Sequence, residues 1–515
     1  MQGVDYLNKS RTYLTKLNAK ASVINRIITL ICNFTVRSVF IKVLGNEYLG
    51  LGGMFGNVFS VLSLCELGFG EAAFQSLYKP IAEGNERQIS AIVSYYAKIY
   101  RYISLVTLSL SVALLPLLPH LFKDITKIDN YRLIYLLFVV HQILSYHFAP
   151  KRALVMCDQR MYAIMAIRTV GTVVLSALQI FTLLRTGNYL VYILLRIFIS
   201  ALDGIAVSRY AGRTYGFLSY YKKSEVSKEY KDGVWGNTRS LILHRIGGVI
   251  NTSTDSILIS SRLGLSSMGI FSNYSLIINS IGSFISLAVN SASASVGNLG
   301  ATASASKSER VLRNICFTNF VLMTCCSAVL LSLINPIITL WIGEDMCFSM
   351  PETAIIIACF YASYIRDPVQ IFIKNYGVFR STRFIYLARG ILNLVLSIIF
   401  VDRFGVTGVF AGTLASTMLI AFPLEPYMLF RHGFNLSPAG FLKTYTGYVL
   451  VSTVVCALSY FCTAGMPSEN IFEIALRGIC VLLISSAVLI CMYFRTEELS
   501  ALRKLIFRSK AVSRT

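Results

Sequence analysis

The sequence predicts an all-α polytopic membrane protein with about 14 transmembrane helices, forming two pseudo-symmetric six-helix lobes and two C-terminal helices. Composition is the first evidence. Of 515 residues, 55% are hydrophobic and only 14% are charged, whereas soluble domains carry about 25% charged residues. The second is a series of long apolar segments, and the third is a polar pattern that two of these segments share.

The apolar segments are each about 20 residues or longer, enough to cross a bilayer as a helix. They are residues 21–44, 48–77, 91–121, 131–150, 161–184, 188–208, 236–262, 265–297, 311–334, 351–376, 384–401, 407–430, 443–463 and 471–494.

The longest polar interruption lies between the sixth and seventh segments, from Arg209 to Asp232. Because six is even, the second half starts on the same side of the membrane as the first, as in parallel repeats. We therefore expect an N-terminal lobe at 1–208, a basic linker at 209–235 and a C-terminal lobe at 236–430. The last two helices and a basic, amphipathic tail follow at 431–515.

The net charge is +22, and the distribution of the basic residues along the chain indicates the membrane topology. With the N-terminus in the cytoplasm, seven of the 47 Lys and Arg residues lie outside, namely Lys42, Lys123, Lys127, Arg132, Arg185, Arg262 and Arg403. This positive-inside bias places both termini in the cytoplasm. No basic soluble domain is present to bind nucleic acid. The twelve cysteines have no metal-ligand spacing, so neither a metal site nor a disulfide framework is expected.

Two segments carry matching rows of polar residues. Arg26, Asn33 and Arg37 lie in the first, and His244, Asn251 and Asp255 lie in the seventh, each 218 positions later. The spacing i, i+7, i+11 returns each side chain to within about 20° of the first. Because a polar stripe in hydrocarbon is costly unless it faces a bundle interior or a wet cavity, the rows predict a polar cavity shared by two similar halves, as in a transporter.

The arginines suit an anionic substrate. Guanidinium groups keep their charge in the bilayer and bind phosphate oxygens bidentately, so Arg26 and Arg37 are the main candidates for substrate binding. Asn33, Asn251 and Arg245 are expected to line the same cavity. The structural alternative is that Arg26 extends to the interface and Arg37 pairs with a carboxylate.

The titratable residues suit coupling or gating. Asp255 and His244 are candidates for a proton or sodium site, although Asp255 in an ion pair with Arg37 is an equal alternative. Glu66 and Glu71, in a glycine-rich stretch, suit a cation site, an arginine partner or an inner gate.

The tenth segment is interrupted at Arg366-Asp367-Pro368, where a proline predicts a kinked helix. Broken helices near the midplane often mark binding sites in transporters, so Arg366 and Asp367 are further candidates for coupling or gating, and a purely structural kink is the alternative. The chain contains no GxxxxGK[ST], GxSxG or HExxH pattern, so we expect a non-enzyme without a cofactor, coupled to Na⁺ or H⁺ if to any ion.

Several short motifs resemble those of Wzx-type polysaccharide flippases, members of the MOP superfamily with the MATE exporters and the lipid II flippase. They are the stretches 44–51, 66–70 and 76–80 in the first half, and 254–260 and 273–274 in the second. The resemblance implies two lobes around a cationic cavity.

The resemblance also implies a substrate, an undecaprenyl-diphosphate-linked oligosaccharide moved from the inner to the outer leaflet of a bacterial cytoplasmic membrane. It implies membrane lipids, polysaccharide polymerase and glycosyltransferases as partners. The alternative is a cation-coupled exporter of small amphipathic molecules.

Overall fold

The structure, a computed structural model, describes residues 11–66, 69–221, 225–227, 230, 246–251 and 253–500. For residues 11–12, 71–75, 294, 301–302 and 379–380 it describes the backbone alone. Helices dominate these ranges, and they contain no β-strand. The expectation of an all-α polytopic fold is confirmed.

Sixteen helices of seven residues or more are numbered here in chain order. They are α1 (Arg11–Leu44), α2 (Asn46–Leu62), α3 (Phe69–Glu83), α4 (Glu86–Leu114), α5 (Tyr131–Cys157), α6 (Met161–Thr186), α7 (Tyr189–Thr214), α8 (Leu265–Asn290), α9 (Ser293–Thr302), α10 (Ala305–Ile342), α11 (Met350–Tyr364), α12 (Asp367–Asn375), α13 (Phe379–Ser416), α14 (Phe422–Met428), α15 (Ala439–Thr463) and α16 (Ile471–Tyr493). Residues 246–251 and 253–258 are also helical.

Within the described ranges, twelve helical segments are long and apolar enough to cross a membrane. The difference from the expected 14 has two sources. The 54-residue segment Ser381–Phe434 contains two expected spans, and Gly405, with a left-handed φ of 57°, interrupts the helix between them. The expected span at 236–262 is described only from residue 246, so it is too short to be counted.

The second expected span, 48–77, is discontinuous. Helix α2 ends at Leu62, a 3₁₀ turn covers Ser63–Glu66, and α3 begins at Phe69. Glycine lowers helix propensity, and the sequence around this break contains Gly68 and Gly70.

The expected amphipathic tail lies mostly beyond residue 500, outside the described part of the chain.

The chain divides into two compact units. Unit 1 contains residues 1–249 and 264–269, and unit 2 contains residues 250–263 and 270–515. The core of unit 1 joins α3, α4, α5 and α7 through buried side chains, including Leu77, Tyr96, Leu154 and Val207. This core fixes α4 and α5 side by side.

The short segment 264–269 completes unit 1. Asn46, at the start of α2, donates its side-chain amide to the Ser266 carbonyl at 2.8 Å. One turn later, a Cβ at Gly50 would overlap the Leu265 carbonyl, so only glycine fits there. Gly50 of α2 and Gly269, near the start of α8, therefore lie at a close contact between these two helices.

In unit 2, α15 and α16 pack along α10. Phe320 stacks on Tyr448 with ring centroids 4.3 Å apart. The Ser452 hydroxyl joins Thr324 at 2.6 Å and donates to Tyr361 at 2.7 Å. Small hydroxyl residues that link closely packed helices are typical of membrane bundles. The last two helices are thus integral parts of unit 2.

Candidate functional site

The first candidate site is the polar stripe of α1 in unit 1. Arg26 and Asn33 are exposed and Arg37 is half-buried. The apolar side chains Ile24 and Ile31 are exposed as well, 55% and 58% respectively. Two residues of separation place each isoleucine about 160° around the helix from the neighbouring stripe residue. These two isoleucines therefore lie on the side of α1 opposite the stripe. That side also carries exposed Lys42, and exposed Val23 and Ile27 lie between the two sides.

The packing face of α1 lies between those two sides. Asn25 donates to the Thr169 hydroxyl on α6 at 2.8 Å, and Asn18 accepts from the Tyr162 backbone at 2.8 Å. These two asparagines also have i, i+7 spacing, like Arg26 and Asn33, yet they attach α1 to α6. Periodicity alone did not separate the two rows.

Arg196 of α7 extends the cationic side of unit 1. Both Arg37 and Arg196 lie within electrostatic range of Tyr192. Tyr192 belongs to an aromatic cluster, with its ring 5.1 Å from Phe40 and 5.9 Å from Tyr189. Arg196 is exposed and forms no ion pair with any residue in the described ranges. The structure therefore places an arginine of α7 near the arginine stripe of α1.

The carboxylate of Glu66 belongs to unit 1 as well. It accepts a hydrogen bond from the Tyr100 hydroxyl at 2.6 Å. A Cβ at Gly70 would lie 2.6 Å from the same carboxylate, so this glycine allows the close approach. Glu71 lies in α3, among the residues described by backbone alone.

The second candidate site is in unit 2, where the interrupted tenth segment carries a buried ion pair. The helix ends at Tyr364 and restarts at Asp367. Arg366, between them, donates from Nε and Nη2 to the two carboxylate oxygens of Glu425, each at 3.1 Å. Side-chain exposure is 4% for Arg366 and 0% for Glu425. This bidentate pair neutralises the arginine at the helix break.

Asp255 lies in a hydroxyl and amide environment. Its Oδ1 accepts from the Thr413 hydroxyl at 2.6 Å and from the Asn393 amide at 3.5 Å. Ser397 donates to Asn393 at 2.8 Å and so orients that amide. These groups come from the helix before the Ile259–Leu263 π-turn and from the two halves of α13. The arrangement offers neutral oxygens around one carboxylate.

Further charged residues surround this site. Arg389 is buried and lies within electrostatic range of both Asp255 and Glu425. Asp367 accepts from the Ser286 hydroxyl at 2.7 Å and lies near the Arg366 pair. Two arginines therefore lie near three carboxylates. The unit 2 charge cluster is defined here as Arg366, Arg389, Asp255, Asp367 and Glu425, and its formal charge is −1.

The remaining predicted residues have other surroundings. Asn251 donates to the Tyr386 carbonyl at 3.2 Å, within unit 2. His244 and Arg245 lie outside the described residues. Sequence reasoning did not identify Glu425, Asn393, Thr413 or Arg389. The only available signal was the presence of a carboxylate, an arginine and amides in otherwise apolar segments.

No protein-family profile and no curated protein sequence matches the chain. Solved structures do match its fold. An inward-facing multidrug resistance MATE family transporter of the MOP superfamily matches with a TM-score of 0.61 and 13% identity, over 79% of this chain and 97% of that one. The lipid II flippase MurJ, in an inward closed conformation, matches with a TM-score of 0.64 and 14% identity, over 93% and 100%.

A third similar structure is a MOP superfamily transporter from Pyrococcus furiosus, with a TM-score of 0.51 and 12% identity over 81% and 96% of the two chains. These neighbours are transporters and flippases rather than enzymes. The chain therefore has the fold of MOP superfamily transporters, a fold that both exporters and a lipid flippase adopt.

Proposed function

We propose that this protein is a flippase for undecaprenyl-diphosphate-linked oligosaccharide repeat units. It would move them by alternating access from the inner to the outer leaflet of a bacterial cytoplasmic membrane, for surface polysaccharide synthesis. The fold supports a transporter. The observation that favours this substrate is the exposed arginine stripe of α1, which lies opposite the exposed Ile24 and Ile31 of the same helix.

The stripe suits a substrate with both phosphate and sugar. Arg26 and Arg37 are separated by about 16 Å along the helix, so they would bind successive positions of an anionic headgroup. Beside Arg37, the half-buried ring of Tyr192 suits the apolar face of a sugar. The polyprenyl chain would remain in the lipid.

Coupling is assigned to the unit 2 charge cluster. Its single excess negative charge suits one proton or one sodium ion, which Asp255 would hold with the Thr413 hydroxyl beside it. Asp255→Asn is expected to remove the dependence of transport on the ion gradient while preserving expression, and Asp402→Asn, an exposed carboxylate outside the cluster, is the matched control. Unchanged ion dependence in Asp255→Asn would rule out this coupling site.

The main test is complementation of a gene deletion. The deletion should cause complete lipid-linked repeat units to accumulate on the inner leaflet and surface polysaccharide to disappear. Arg37→Ala, expressed at the normal level, should fail to restore export, because it removes the fixed cation. Lys42→Gln, on the opposite side of α1, is the matched control and should restore export fully.

The conservative variant separates two kinds of binding. Restoration by Arg37→Lys indicates that charge suffices, and failure indicates that bidentate geometry is required. Full export by Arg37→Ala would contradict the phosphate-binding role.

The cation-coupled exporter is the second candidate, favoured by the Asp255 site. Unchanged polysaccharide with altered drug sensitivity in the deletion strain would support it instead.

A further inference from the structure

A cavity of about 430 Å³ lies between α4 and α5 of unit 1. Arg101 of α4 and His147 of α5 line one part of it, and Leu105, Leu108 and Ile143 line another. None of these residues belongs to the α1 stripe. Ligand sites in proteins range from roughly 300 to 1,000 Å³, so the cavity is large enough for part of a small amphipathic molecule.

The polar and apolar ends of the cavity are at different membrane depths. Arg101 is the last charged residue before 102–122, a run without Lys, Arg, Asp or Glu. On the antiparallel helix α5, His147 lies one turn before Lys151, where the corresponding uncharged run ends. Arg101 and His147 therefore both lie where the hydrocarbon region begins.

The apolar lining continues from this boundary towards the bilayer centre. Leu105 and Leu108 are one and two turns further along α4 from Arg101, and Ile143 is one turn back along α5 from His147. A groove with basic groups at headgroup level and leucines at chain level has the polarity of a phospholipid.

Hydrogen-bond donors remain available in the cavity. Arg101 and His147 are exposed, and neither forms an ion pair with any described residue. Tyr146 also lines the cavity but is only 4% exposed, and its buried hydroxyl does not face the groove.

We propose that this groove binds an anionic phospholipid of the surrounding bilayer. Arg101 and His147 would bind its phosphate, and one acyl chain would lie against Leu105, Leu108 and Ile143. The lipid would stay bound between α4 and α5 and would not be the transported substrate. The proposal therefore does not depend on the proposed function.

Native mass spectrometry of the full chain in detergent tests this proposal. Phosphatidylglycerol should bind more tightly than phosphatidylcholine, which has a neutral headgroup. The double variant Arg101→Gln/His147→Gln should weaken phosphatidylglycerol binding by roughly fivefold or more, as expected for the loss of one arginine near a lipid surface together with the His147 hydrogen bond. Lys98→Gln, one turn before Arg101 on α4 and outside the cavity, is the matched control and should bind normally.

Other variants keep the test decisive. If the double variant does not fold, Leu108→Trp should fill the groove and exclude the lipid. Equal binding of the two lipids, or unchanged phosphatidylglycerol binding in a folded groove variant, would overturn the proposal. So would displacement of phosphatidylglycerol by equimolar undecaprenyl phosphate, which would assign the groove to the transported lipid. Arg37→Ala should retain phosphatidylglycerol binding whatever its effect on export.

Discussion

The two units contain arginines in opposite settings. In unit 1, Arg26 and Arg196 are exposed and Arg37 is half-buried beside tyrosines. In unit 2, Arg366 is buried and bound through two hydrogen bonds to Glu425. Both sets lie in apolar segments of similar length. Exposure, rather than the residue type, therefore separates arginines suited to substrate binding from arginines that hold a helix break together.

The largest expected effect is on stability, in unit 2. Glu425→Gln leaves the buried Arg366 charge without its carboxylate, and breaking such a pair costs about 3–5 kcal/mol. The melting temperature in detergent should fall strongly. Replacing both partners with apolar residues, as Arg366→Met with Glu425→Leu, should recover much of the loss. A single variant as stable as the wild type would show that the pair is not structural.

An intermediate effect is expected in unit 1, where a carboxylate is held by a neutral donor. Tyr100→Phe removes the hydrogen bond to Glu66 and should cost about 1–3 kcal/mol, less than the Glu425 variant. Tyr102→Phe is the matched control, because Tyr102 is 70% exposed two residues further along α4. Equal melting temperatures for the two variants would contradict a stabilising role of the Glu66 bond.

The smallest effect on stability is expected for the α1 stripe. Arg26→Gln changes an exposed side chain, so its melting temperature should match that of the wild type. Repeat-unit export should nevertheless decrease, because a binding residue is lost. A large drop in melting temperature would place Arg26 with Arg366 among the structural arginines and would remove the contrast between the units.

Local patterns in the sequence predicted the helices and their interruptions well. Glycine at position 405 and proline at position 368 mark breaks that the structure contains. Within the span expected at 48–77, the glycines allow either close helix packing or a local break, and the structure has the break. Average apolarity over a window does not detect such a break.

Partners distant in sequence were not predictable. Arg366 and Glu425 are 59 residues apart, and Asp255 and Thr413 are 158 apart. These pairings depend on how helices pack, which one sequence does not reveal. The rows Asn18–Asn25 and Arg26–Asn33 show the same limit within one helix. Their spacing is identical, and only the position of α6 assigns the first row to packing.

The packing of residues 264–269 against Asn46 and Gly50 has a consequence for any experiment that splits the protein into two co-expressed fragments. A break at 222–229, within the expected linker 209–235, separates the two halves of the sequence. The first fragment would then lack the rest of its own folding unit, up to residue 249 and again at 264–269, while the second would carry those residues away from their partners. Function restored by co-expressing the fragments would therefore require the second polypeptide to supply part of the first one's fold.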